Sequence, residues 1–207
     1  MRITGLHSQS RRNSRRVSVY LDGVFAFGLA QETVLALGLA EGMDIERAEL
    51  DRICREDQLH HARNYAYLLL SYKARTAAEL KARLVRKGFS PDVVSSTLER
   101  LGELGLVNDE QFARQFTEDR VVVGHKGTWR VRAELRKRGV AREQIEQAIA
   151  AAPDETAAAR EVVLKFRARN KRLEPDVLRR RLYGFLARRG FSVDTIRQVL
   201  DVTDEEA

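Results

Sequence analysis

A mainly α-helical protein, three tandem three-helix repeats preceded by a small N-terminal β-hairpin and helix module, is the fold this sequence predicts. Three observations predict it. Gly88, Gly139 and Gly190 stand 51 residues apart. At that one offset Leu84/Leu135/Leu186, Phe89/Val140/Phe191, Val94/Ile145/Ile196 and Leu98/Ile149/Leu200 fall into register without a gap, and a fixed period of this size marks stacked structural units. Ahead of each glycine, apolar residues stand four apart (Leu80 and Leu84, Val131 and Leu135, Leu182 and Leu186), the spacing of one helix face. Only 3 of the 207 residues are proline and few are aromatic, a composition that suits helices and leaves little room for flexible linkers.

The elements follow in order. Residues 1–16 hold Arg2, Arg11, Arg12, Arg15 and Arg16 and no acidic side chain, which predicts a mobile segment, either a solvated tail or an anion-seeking arm. From Val17 to Leu29, two β-prone runs flank Asp22-Gly23. A type I′ turn needs positive φ at both central positions, so this pair predicts a hairpin, with Val17, Val19 and Leu21 on its buried face. Residues 31–37 read as a short helix ended at Gly38, and residues 45–53 as another that leads into the first repeat.

Repeat one opens on Ala62, Tyr65, Ala66 and Leu69, three and four apart. Thr76 and Glu79 have the spacing of a capping box. With Gly88 just past the helix end in a left-handed conformation, Leu84 and Phe89 are the pair that packs together in a Schellman motif. Leu135 with Val140 and Leu186 with Phe191 repeat it. Ser90-Pro91 then restarts a helix as N-cap and first-turn proline. Asn108 or Asp109 caps the opening helix of repeat two, which carries Phe112 and Phe116, and Gly124 and Gly127 break the chain before residues 129–138. Pro153-Asp154 and Pro175 each start a helix of repeat three. The expected divisions are residues 1–56, 57–105, 106–152 and 153–207.

Charge is sorted by element. The protein carries a net +7, which favours a polyanionic partner. The middle helices carry more than that sum: +3 over residues 76–88 (Lys81, Arg83, Arg86, Lys87 against Glu79), +5 over 126–139 (Arg130, Arg132, Arg136, Lys137 and Arg138 among them, against Glu134) and +5 over 177–190 (Arg179, Arg180, Arg181, Arg188, Arg189). The third helix of each repeat is −1. Cations in the last turn, as at 86–87, 137–138 and 188–189, also suit the negative end of the helix dipole. That reason does not reach Arg130, Arg132, Arg179, Arg180 and Arg181 near the helix starts, so these fourteen cations are candidate contacts to a partner.

Several classes are disfavoured. One cysteine, Cys54, gives neither an internal disulfide nor a thiolate zinc site, and reads as an apolar filler in a reducing compartment. No apolar run approaches eighteen residues and no signal-peptide core is present, so a soluble, cytoplasmic, monomeric protein without a membrane partner is expected. No hydrolase, metalloprotease or phosphate-loop motif occurs. His60 and His61 read as a solvated pair, and His7 and His125 have no ligand spacing, so neither metal nor cofactor is expected. Trp129, at a helix start, reads as a packing anchor rather than a base-stacking platform. Helix, tight turn, helix invites a DNA-reading interpretation, a transcriptional or architectural regulator. In that geometry the second helix of the pair enters the major groove, and here it is the acidic one.

The sequence resembles the RecX family of regulatory proteins, which bind and restrain the RecA recombinase filament. The resemblance is carried by Tyr20-Leu21-Asp22-Gly23-Val24-Phe25, by Arg75-Thr76 with Glu79-Leu80, and by Lys87-Gly88-Phe89. It continues through Leu104-Gly105-Leu106-Val107-Asn108-Asp109 with Phe112-Ala113, then Arg120 followed by Gly124 and Gly127, Glu134-Leu135-Arg136 with Gly139-Val140, and Arg189-Gly190-Phe191. It runs in order along nearly the whole chain. It implies an elongated, curved array that lies in the filament groove and lowers filament growth, ATPase and strand exchange. It makes a RecA-type filament the expected partner, with single- or double-stranded DNA met through backbone contacts. Repeat three departs from repeat two at Tyr183-Gly184-Phe185. Direct binding to duplex DNA is the alternative function.

Overall fold

The stop signals and periodicities resolve into three strands and ten α-helices in the computed structural model, which describes residues 1–9 and 16–205. The strands are β1 (Ile3–Ser8), β2 (Arg16–Leu21) and β3 (Val24–Ala30). The helices are α1 (Gln31–Ala36), α2 (Arg47–Tyr72), α3 (Ala77–Lys87), α4 (Pro91–Glu103), α5 (Asp109–Glu118), α6 (Thr128–Lys137), α7 (Arg142–Ala150), α8 (Glu155–Arg169), α9 (Pro175–Arg189) and α10 (Val193–Glu205), with one π-helical turn at Asp119–Val123. By backbone contacts the chain forms two compact units. The first comprises residues 1–74 and 80–106, the second residues 75–79 and 107–207.

In the first unit the expected hairpin is one edge of a three-stranded antiparallel sheet, ordered β1-β2-β3. Asp22 (φ 48°) and Gly23 (φ 84°) make the turn, and Val17, Val19 and Leu21 are buried as their alternation requires. The described part of the basic N-terminal stretch, residues 1–9 and 16, is not a tail. Ile3–Ser8 pairs with β2, the Arg2 guanidinium meets Asp44 at 2.9 Å, and Arg16 donates to the Gly28 carbonyl. Arg11, Arg12 and Arg15 lie outside the described residues. The first expected N-terminal helix is α1, with Gly38 at positive φ (61°) just past its end, and the second differs from expectation. Nothing between residues 47 and 72 breaks a helix, so the one expected from residue 45 and the opening helix of repeat one are a single 26-residue helix. The division expected at 56/57 falls inside it.

Asp57 ties that helix to the sheet. Its side chain is 9% exposed, and its Oδ1 accepts from the Ala30 amide (2.6 Å) and the Thr33 hydroxyl (3.2 Å), capping the start of α1 from a distance in sequence. Its other oxygen faces Arg16 at 3.8 Å and His61 at 3.4 Å. His61 is therefore not half of a solvated pair. Burial lowers its pKa despite Asp57, and the neutral ring can accept from the Arg16 guanidinium 2.7 Å away. Asp57→Ala strands two donors in a core and is expected to cost about 1.5 kcal/mol, read as a lower urea midpoint for the intact chain.

Each repeat packs its first helix on its third: α2 on α4, α5 on α7 and α8 on α10. The middle helix of each repeat buries the two expected apolar residues, Leu80 and Leu84, Val131 and Leu135, Leu182 and Leu186. In the second unit, repeats two and three share one core around Val131, Leu135, Ile145, Val163, Leu182, Leu186, Phe191 and Ile196. All three expected Schellman ends are present. The amides of Phe89, Val140 and Phe191 donate to the carbonyls of Leu84, Leu135 and Leu186, each at 3.3 Å.

Within that unit the middle helices meet end to end. The Gly127 and Trp129 amides, at the start of α6, donate to the carbonyls of Arg189 (3.0 Å) and Gly190 (3.1 Å) at the end of α9. At the other end of α6, the Arg138 carbonyl accepts from the Thr76 hydroxyl (2.6 Å), and the Arg138 guanidinium pairs with Glu79 at 2.7 Å. Half of the expected capping box forms, with the Glu79 amide donating to the Thr76 hydroxyl at 3.2 Å, while the Glu79 carboxylate goes to Arg138 instead of returning to Thr76. Asp109 adds a further cap by accepting from the Ala77 amide at 2.8 Å. Backbone groups that helix ends leave unpaired are satisfied here by the neighbouring repeat, and unlike dipole ends face each other.

Candidate functional site

Six of the fourteen candidate cations are engaged inside the chain. Arg130 meets Glu134 at 3.2 Å, a carboxylate it shares with Lys126 (2.8 Å) and Arg120 (3.3 Å). Arg132 grips Glu146 through two hydrogen bonds of 2.9 and 3.0 Å. Arg179 pairs with Asp201. The three remaining are the second members of the dibasic pairs, and each lies over an aromatic ring: Lys87 over Tyr65, Arg138 over Phe112 and Phe116, and Arg189 over Phe185. Arg189 also donates to the His125 carbonyl at 3.0 Å. Lys87, itself exposed, reaches its ring across repeat one and Arg138 across repeat two, while the Phe185 contact of Arg189 lies within α9, each cation–ring contact contributing roughly 0.5–2 kcal/mol.

Their partners in the pairs lie over no ring among the described residues. Arg86, Lys137 and Arg188 are exposed, as are Lys81, Arg136, Arg180 and Arg181, and Arg83 is half-buried. Successive residues on a helix stand about 100° apart. The two cations of a dibasic pair therefore diverge, one reaching a ring and the other pointing elsewhere.

The structure also assembles a group that the sequence reading dispersed. On the outer face of repeat two, α6 and α7 enclose an open cleft of about 720 Å³ lined by Trp129, Arg132, Arg136 and Val140 on one side and Arg142, Ile145 and Glu146 on the other. Trp129 is 66% exposed, so it is not the packing anchor expected of it. The Arg132 guanidinium stands 5.6 Å from its ring centroid. The Glu146 carboxyl titrates below the ordinary glutamate range because of the Arg132 hydrogen bonds, with Arg142 and Arg136 adding to the effect. Three arginines thus converge on one carboxylate beside an exposed indole.

A second arginine-rich surface sits at the corresponding place in repeat three, where Arg179, Arg180, Tyr183 and Arg197 surround Leu200. Tyr183 is 42% exposed and occupies the position, 51 residues on, that Arg132 holds in repeat two. Arg142 and Arg197 stand on third helices whose net charge is negative, which hid them. Among the described residues, no three histidine, cysteine or carboxylate side chains come together as a metal site, and no helix is long and apolar enough to cross a membrane. Cys54 is half-buried, and burial raises its thiol pKa, which disfavours the reactive thiolate form.

Four family descriptions match the chain in order: the regulatory protein RecX N-terminal domain over residues 1–46, and the RecX first, second and third three-helix domains over 62–101, 108–149 and 153–200. Among curated relatives, the chain is similar to regulatory protein RecX of Mycolicibacterium smegmatis, 39% identical over 77% of this chain and 86% of the relative. It is 31% identical to that of Caldanaerobacter subterraneus over 93% and 96%, and 28% identical to that of Bacillus subtilis over 99% and 78%. A crystal structure of a regulatory protein RecX shares the fold with a TM-score of 0.75, at 23% identity over 97% of this chain and 98% of that one.

Proposed function

Because the chain belongs to the RecX family of regulatory proteins, we propose that it is a non-enzymatic regulator that binds a RecA-type recombinase filament in its groove. Binding there limits filament growth, ATPase and strand exchange, and so tunes recombination and DNA repair. The observation that carries this reading is the division of the dibasic pairs: one cation in each lies over an aromatic ring, and Arg86, Lys137 and Arg188 face solvent at a constant spacing of 51 residues. Middle helices that repeat a solvent-facing cation suit a target that is itself repetitive and acidic, and a nucleoprotein filament offers both phosphate and carboxylate.

The test uses the solvent-facing cations only. Reversing Arg130 or Arg132 would break ion pairs to Glu134 and Glu146 and confound contact with folding. The triple variant Arg86→Glu, Lys137→Glu, Arg188→Glu is expected to keep its circular dichroism and thermal midpoint while the concentration needed to inhibit recombinase ATPase rises at least tenfold. The effect should shrink as salt is raised through a few hundred millimolar, where the Debye length is only a few ångströms. Unchanged inhibition by a folded triple variant would remove these helices from the contact.

A further inference from the structure

We propose that the cleft between α6 and α7 is a binding site for single-stranded nucleic acid in its own right, with a base stacked on Trp129 and the flanking phosphates held by Arg136, Arg142 and, once it leaves Glu146, Arg132. The chemistry of the lining selects this occupant. An indole that is two-thirds exposed costs hydration where it stands, and a nucleobase offers it a flat π face. Arginines from α6 and α7 both line the cleft and offer planar donors to a phosphate backbone. Val140 and Ile145 add an apolar part to the lining that does not compete for the phosphates.

Duplex DNA suits the site less well, because its bases are stacked on each other and unavailable to the indole. Glu146 acts as a resident competitor. It occupies Arg132 in the free protein through two hydrogen bonds, and a phosphate takes over that guanidinium when a strand enters. The Tyr183 surface of repeat three, with Arg180 and Arg197, provides a second aromatic among arginines within the same unit, so a strand longer than one cleft has somewhere to continue.

Trp129 is the only tryptophan in the sequence, so intrinsic fluorescence reports on this cleft alone, and no recombinase is present in the test. Failure here therefore leaves the filament-binding reading untouched. A 20-nucleotide oligo(dT) is titrated into the full chain at low salt, with fluorescence and, using a dye-labelled strand, anisotropy as readouts. Saturable quenching by oligo(dT) is expected, with little quenching by an abasic 20-mer of equal charge. Trp129→Ala and Arg142→Glu should each weaken oligo(dT) binding roughly tenfold, while Glu146→Gln should tighten it about threefold by releasing Arg132. Equal quenching by the abasic strand, wild-type affinity in a folded Trp129→Ala, or tighter binding of duplex than of single strand would each overturn the proposal. So would quenching by polyglutamate with none by oligo(dT), which would assign the cleft to an acidic protein segment.

Discussion

Gly190→Ala is expected to cost the second unit about 3–5 kcal/mol, whereas Gly88→Ala, at the matching place in repeat one, costs the chain about 1 kcal/mol. Both glycines end a middle helix with positive φ, 84° at Gly190 and 98° at Gly88, so both substitutions pay the left-handed penalty of an L side chain. They differ in what surrounds them. A Cβ at Gly88 meets nothing within 4 Å, while one at Gly190 would stand 2.5 Å from the Arg130 backbone nitrogen and Cβ. That nitrogen belongs to the first turn of α6, which is locked onto the end of α9 by the Gly127 and Trp129 hydrogen bonds. The collision cannot be relieved by turning a flexible side chain. Urea unfolding of the full chain separates the cases: a shift of the second unit's transition for Gly190→Ala well beyond that for Gly88→Ala. Equal shifts would mean that conformational strain, not the helix junction, sets the cost. Gly127→Ala falls in the severe class, since its Cβ would collide with the Gly190 carbonyl group.

This contrast shows what the sequence could and could not disclose. The three glycines were legible because a left-handed helix end is a local demand, met by one residue type wherever it occurs, and the Leu84–Phe89 type of pairing follows from it. The hairpin at Asp22-Gly23 was legible for the same reason. Strand β1 was not, because its five arginine neighbours dominate the composition of residues 1–16 and its partner strand lies beyond them. The fate of the dibasic pairs was also hidden. Whether Arg138 or Lys137 turns inward depends on Phe112 and Phe116, more than twenty residues upstream, and only the packed repeat brings them together.

Trp129 is a different kind of miss, since the signal was present. The buried column of α6 runs through Val131 and Leu135. A residue two positions before Val131 stands about 200° around the helix from it, on the outer face. Its counterparts at the 51-residue offset, Ala78 and Arg180, do not form an apolar column either. The candidate cleft itself needed the fold: Arg132 and Glu146 are fourteen residues apart, and only the turn at Gly139 makes them neighbours.

Glu155 is where the repeat junction is most exposed to acid. It opens α8, is buried, and accepts three hydrogen bonds: from the Thr128 amide (2.6 Å) at the start of α6, and from the Ser192 amide (3.0 Å) and Thr195 hydroxyl (2.9 Å) at the start of α10. One carboxylate thus caps two helices of other elements, where its charge also suits their positive ends. Burial pushes its pKa up, but the Ser192 and Thr128 amides and the Thr195 hydroxyl outweigh burial, and the net displacement is downward from the ordinary value of 4.5. A carboxyl depressed in the folded state contributes stability that is fully present above its unfolded pKa and is lost as pH falls below about 4.5 and through the folded value. Glu155→Ala leaves two buried amides and a hydroxyl without an acceptor and is expected to cost about 3 kcal/mol at neutral pH. Glu155→Gln keeps the shape but turns an amide donor toward Thr128, at about 2 kcal/mol. Because glutamine imitates the protonated acid, the gap in urea stability between wild type and Glu155→Gln should hold from pH 6 to about pH 4.5 and narrow as pH falls from there toward 3. A gap that stayed constant over that range would show that the side chain contributes through its shape and not through its charge.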